Sequence, residues 1–207
     1  MAPAEYDRSV FLNCPFDEEY QPILHALVFV IQDCGFKARS ALEAENGGEV
    51  RIEKINRIIR ECRHGIHDIS RTEPDGLNKL PRFNMPLELG LFLGARAFGA
   101  KAQREKNCLI LDREPYRYQK FCSDIAGQDI QAHGTHPDRV IRAVRNWLAS
   151  ALGPSVLLPG ARKVAERYAA FQEALPVSCA NWHLDVRELR FLEIRALAQE
   201  WVGENPP

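Results

Sequence analysis

No apolar run in this 207-residue chain reaches the roughly 18 residues needed to cross a bilayer. Residues 1–10 are charged where a signal peptide would be apolar, so we expect no membrane partner and a cytoplasmic location. An excess of charge of one sign is missing too: 27 Lys and Arg stand against 28 Asp and Glu. Such a balance offers no chain-wide electrostatic grip on nucleic acid, which is therefore not an expected partner. The six cysteines, Cys14, Cys34, Cys62, Cys108, Cys122 and Cys179, contain no CxxC pair and no zinc-finger spacing. Most fall within apolar or amphipathic runs and read as reduced packing residues. Gly47-Gly48 belongs to neither GxGxxG nor GxxxxGK[ST], which removes the dinucleotide and P-loop fingerprints. Internal repeats and low-complexity tracts are absent as well.

What is present is the balance of a globular protein, 45% hydrophobic and 27% charged, long enough for one core and an appendage. Ser9-Val10-Phe11-Leu12-Asn13 reads as a buried strand stopped by Cys14-Pro15. After Asp17, a candidate cap, Tyr20, Ile23, Leu24, Leu27, Val28 and Ile31 recur at helical spacing until Gly35. Residues 36–42 alternate apolar and basic side chains as a half-exposed edge strand does, and 43–49 read as a loop. Ile52, Ile55, Ile58, Ile59 and Cys62 form one helical face. A short strand over 65–70 ends in polar residues, and a polar loop with Pro74, Gly76 and Pro81 follows. Asn84 is placed to cap a helix with Pro86 in its first turn, and Gly90 and Gly94 give that helix a smooth face for close packing.

Residues 107–111 read as a buried strand, 116–126 as a helix, Ile130 as part of a fifth strand, and Val140, Ile141, Val144, Trp147, Leu148 and Leu152 as a core helix. Strands alternating with helices predict an α/β, flavodoxin-like three-layer fold with a five-stranded parallel sheet. That domain spans residues 1–152. A Pro, Gly and Ser stretch at 153–159 then leads into a C-terminal helical extension, residues 153–207, with helices near 162–175 and 186–202.

In such sheets ligands bind beyond the carboxyl ends of the strands, at the switch point between the first and third. Here those ends carry Asn13, Cys14, Phe16 and Asp17 on one side and Asp68, Ser70 and Arg71 on the other. Glu88 lies one turn into the helix that begins beside them. Its apolar neighbours suggest a carboxylate facing a partly desolvated crevice, although an acid in a first turn also offsets the helix dipole. Taken singly, Asp68 reads equally as a turn cap and Arg71 as a solvated loop residue. Cys14 has the strand-end setting that can lower a thiol pKa, yet no histidine partner is identifiable, and a packing role is preferred. His64 and His67 point to opposite faces of a strand, so no metal site is expected.

Asp68-Ile69-Ser70 followed by Asn84-Met85-Pro86-Leu87-Glu88-Leu89-Gly90 resembles the bacterial TIR-like proteins and the nucleoside 2-deoxyribosyltransferases, which pair a D-[IL]-S strand end with an N-x-x-x-E-L-G helix start. The resemblance covers residues 9–152 in element order and leaves the C-terminal helices outside. This sequence departs from the pattern in its long loop between the motifs and in Pro86. The resemblance implies a TIR-like nucleotide-binding domain in which Glu88 acts on the ribose during N-glycosidic cleavage. Asp68 and Ser70 would line the ribose and phosphate side. With Asn13 and Asn84 positioning, Arg71 on phosphate and Phe16 on a base, the implied activity is an NAD glycohydrolase of bacterial antiviral defence. NAD is then substrate, and no bound cofactor is needed. A homo-oligomer and an activating partner protein or signal molecule are implied in turn. The alternatives are a non-catalytic nucleotide sensor and a nucleoside 2-deoxyribosyltransferase.

Overall fold

The computed structural model describes residues 3–43, 48–74, 79 and 83–207; Gly47, Gly76 and Pro81, read above as loop residues, lie outside the described residues. The helices are α1 (Pro3–Arg8), α2 (Gln21–Asp33), α3 (Arg51–Glu61), α4 (Asn84–Phe98), α5 (Lys101–Arg104), α6 (Pro137–Leu152), α7 (Ala161–Asn181) and α8 (Phe191–Glu204). The strands are β1 (Ser9–Asn13), β2 (Lys37–Arg39), β3 (His64–Asp68), β4 (Asn107–Asp112) and β5 (Ile130–Ala132). All pairings are parallel and the order is β2-β1-β3-β4-β5, a flavodoxin-like α/β sheet with helices on both faces.

Alternation along β1 decides which side chain serves which face. Phe11 joins Ile55, Ile58, Ile59 and Phe92 under α3 and α4, whereas Val10 and Leu12 join the larger core under α2 and α6. Helix α2 is buried at every residue from Ile23 to Asp33, which follows from its apolar run: the sheet covers one side and the C-terminal helices the other. Phe29 of α2 stacks on Phe171 of α7 at 5.1 Å and lies 5.6 Å from Trp201 of α8. Buried Asp33 accepts from the Arg167 guanidinium at 2.7 and 2.9 Å, which fixes α7 on α2. Arg195 of α8 donates to the Ala38 carbonyl at 3.1 Å and so covers part of the β2 edge.

Several elements differ from their sequence expectation. The stretch 116–126 is not a helix but two 3-10 turns, Arg117–Lys120 and Ser123–Ile125. Tyr116 enters them in the left-handed region, φ 60°, and the Arg117 guanidinium is pulled back to Asp112, Thr72 and the Ile69 carbonyl. A tertiary clamp thus overrides helix propensity. The second strand is shorter than 36–42, and both Ala38 and Arg39 are buried, Ala38 in the larger core and Arg39 paired with Glu43 and Glu61. Asn84 is the first residue of α4 and does not cap it; Phe83 holds that position without a side-chain bond. A Cβ built on Gly90 or Gly94 meets nothing within 4 Å, so their face packs on none of the described residues. Helices α1 and α5 were not foreseen, and α7 runs on through Pro176 to Asn181. Among the described residues no helix is long and apolar enough to cross a membrane.

Candidate functional site

Parallel register brings the carboxyl ends of four strands level. Asn13 lies opposite His67, Asp68 opposite Leu111, and the His133 amide donates to the Asp112 carbonyl just beyond β5. Each end therefore carries a polar side chain, Asn13, Asp68, Asp112 and His133, and none is more than 2% exposed. Buried polar groups need partners, and the way these four find them separates structural from available groups.

Asp68 is fully bonded. The Tyr20 hydroxyl donates to Oδ2 at 2.5 Å and the Ser70 amide to Oδ1 at 2.8 Å. His133 Nε2 stands 3.1 Å from Oδ2, although off the line of a good hydrogen bond. The Thr135 amide donates to His133 Nδ1, which assigns the ring proton to Nε2, on the Asp68 side. Burial alone would raise the Asp68 carboxyl; His133, Ser70 and Tyr20 outweigh it and hold the group below the ordinary carboxylate value. Asp112 is the reverse: burial lifts it despite Arg117, and its Oδ2 has no partner among the described residues. Arg117 is itself consumed, donating to Asp112 at 2.7 Å, to the Ile69 carbonyl at 2.6 Å and to Thr72 at 3.0 Å.

Asn13 joins the sheet to α4. Its Nδ2 donates to the Met85 carbonyl at 2.8 Å and lies 3.0 Å from His67 Nδ1, which leaves Oδ1 buried and without a partner among the described residues. The His67 ring packs edge-on to Phe11 and Phe92, and burial pushes its pKa down to about 3. A neutral ring is what an acceptor at Nδ1 requires. Gly65 makes room for it: an added Cβ would stand 2.7 Å from His67 Nε2 and from the Phe92 ring.

Glu88 projects from the inner face of α4 with Leu89 and Phe92, 5% exposed. Its carboxylate makes no hydrogen bond or ion pair among the described residues. Burial raises its pKa from 4.5 to about 7, with Arg51 at the start of α3 pulling the other way. It is near enough to Cys14 that its charge, with that of Asp68, helps burial push the thiol well above its ordinary value. Cys14 is thus held in the thiol form.

Of the other expected residues, Ser70 is buried and gives its amide to Asp68, whereas Asn84 is exposed. Arg71 is tied to Asp17 at 2.8 Å and to Glu19 at 2.6 Å, and Phe16 packs half-buried against the α2 core. Asn13, Glu88, Asp68 and Ser70 therefore gather at the β1 and β3 ends, while Arg71 and Phe16 are committed to internal contacts. Tyr20, His67, Asp112, Arg117 and His133 were missed. Asp112 had a visible signal, since like Asn13 it closes an apolar strand run; His133 and Arg117 come from loops whose approach only the fold decides.

Among the described residues no group of three His, Cys, Asp or Glu side chains could hold a metal ion. What the arrangement offers is one desolvated carboxylate that is part protonated near neutral pH, beside orphaned polar atoms at a strand switch point. Comparison with protein-family models, curated proteins and solved structures finds no match.

Proposed function

We propose that the chain is a nucleotide N-glycosidase, NAD-cleaving, of the TIR-like kind, working in bacterial defence or signalling. The observation that carries this reading is Glu88: a buried carboxylate with no hydrogen bond or ion pair among the described residues, raised to about 7, beside the β1 and β3 ends. Such a group is costly for folding and suited to chemistry that develops positive charge. When the C1′–N bond to the base breaks, the electron pair leaves with the base and the ribose becomes oxocarbenium-like. Ionised Glu88 stabilises that charge, then takes a proton from the water that attacks C1′. Asn13 Oδ1, buried and without a partner among the described residues, supplies an acceptor for a sugar hydroxyl. The assembly part of the proposal, a homo-oligomer set off by a partner protein or signal molecule, draws on the open face of α4. There Leu87 is 56% and Phe98 90% exposed around Gly90 and Gly94.

A specific observation favours a second reading. Arg71 is already held by two carboxylates, so the phosphate contact expected of it is not on offer. A nucleoside needs no such contact, which supports nucleoside 2-deoxyribosyltransfer, with Glu88 as nucleophile. A sensor that binds without turnover remains the non-catalytic form of the same crevice. The deciding experiment measures nicotinamide release from NAD and base exchange between deoxynucleosides, for wild type and Glu88→Gln, over a range of protein concentrations. Release that rises through pH 7 and disappears in the variant supports the glycohydrolase. Exchange that disappears in the variant supports the transferase, and turnover that survives Glu88→Gln removes both.

A further inference from the structure

Helix α6 has two distinct faces. Val140, Ile141, Val144 and Leu148 are fully buried against the sheet and α2. Residues 139, 142, 143, 146, 147 and 150 follow the same helical period along an adjacent stripe, yet they are Arg, Arg, Ala, Asn, Trp and Ser. A helix covering an edge strand ordinarily presents apolar side chains there. The strand answers in kind: Gln131 of β5 stands beside buried Leu111 of β4 in register. Between stripe and strand lies an open groove of about 570 Å³, inside the range of small-molecule sites.

The charge in this groove is uncommitted. Arg39, Arg117 and Arg167 all have carboxylate partners, whereas the Arg139 and Arg142 guanidiniums have no hydrogen bond or ion pair among the described residues. Three residues apart on α6, they share one wall. The lining acid, Asp129, already accepts from Gln131 at 2.7 Å. Half-buried Trp147 adds a flat ring whose buried N–H finds no acceptor among the described residues, and the Asn146 amide lies beside it. His133, 2% exposed, also lines the groove. Two adjacent guanidiniums match a phosphate or diphosphate, and an indole with a neighbouring amide matches a planar base.

We propose that this groove is a nucleotide-binding site, with Arg139 and Arg142 on the phosphates and Trp147 and Asn146 on the base. It lies on the α2 and α6 face of the sheet, opposite the α3 and α4 face that carries Glu88, and it stands whether or not Glu88 is catalytic. The test is calorimetric titration of the full chain with ADP, pyrophosphate and adenosine, in wild type, Arg139→Gln/Arg142→Gln and Trp147→Ala. Both arginines are exposed, so the double variant keeps its fold, which circular dichroism checks. The expected result is saturable ADP binding that weakens about tenfold or more in the double variant and falls with added salt. Trp147→Ala and the removal of the base, in pyrophosphate, should each weaken it as well. ADP binding left unchanged by the double variant, or no saturable binding up to about 1 mM, overturns the site. Pyrophosphate that binds as tightly as ADP overturns the base contact and with it the nucleotide assignment.

Discussion

The end of β3 and the first turns of α4 lie side by side, and each buries a carboxylate, but they resolve the cost of burial in opposite ways. Asp68 accepts from Tyr20 and Ser70, faces His133 and is held ionised. Glu88 has none of these and drifts up to about 7. On the same helix, a Cβ added at Gly90 or Gly94 would meet none of the described residues within 4 Å. Burial by itself therefore does not mark a functional acid. What marks one is burial without a hydrogen bond or ion pair to offset it, and among the described residues Glu88 of α4 is of that kind.

The comparison breaks most directly at Asp68. Asp68→Ala leaves the Tyr20 hydroxyl and the Ser70 amide without their acceptor and His133 without the carboxylate it faces, and should cost about 3–5 kcal/mol in urea unfolding. A loss near zero would mean that Asp68 is not the hub described. Glu88→Gln should go the other way. Because its folded pKa is raised, Glu88 contributes stability below about 4.5 that is lost as pH rises through about 7. The variant should therefore be about 3 kcal/mol more stable than wild type above pH 7 and equal to it near pH 4.5, as unfolding midpoints across that range would show. An unchanged midpoint at pH 8 would mean that Glu88 has a partner after all.

His67 sharpens the comparison from below. With its pKa depressed to about 3, it supports folding above about 6.5, and that support is lost as pH falls toward 3. Protonation also ends the acceptor role of Nδ1 toward Asn13. Buried His25 and His64, each pushed down to about 4, add to the same slope. Stability should drop by up to about 1.4 kcal/mol per pH unit for each histidine, and His67→Gln should flatten the slope by one share. The smallest effect belongs to the outer face of α4. Gly90→Ala, whose new Cβ meets nothing, should stabilise the chain by about 0.5–1 kcal/mol, read as a raised melting temperature. A loss instead of a gain would mean that the glycine face is packed in an assembly.

The sequence by itself determined the parallel α/β order, since buried runs such as 9–13 and 107–111 and amphipathic helices such as 51–61 carry their periodicity locally. It also singled out Asn13, Asp68, Ser70 and Glu88, because polar residues that close an apolar run, or sit between apolar neighbours as Glu88 does, stand out in a string of letters. Only the tertiary structure decided what those residues have left to offer. Whether a carboxylate is spent or available depends on partners far along the chain, Tyr20 and His133 for Asp68, and none among the described residues for Glu88. Arg117 shows the same limit from the other side, as its long-range clamp on Asp112, Thr72 and Ile69 replaced an expected helix with two turns. Local periodicity is written in neighbouring residues, whereas the pairing of buried charge is written only in the way distant segments meet.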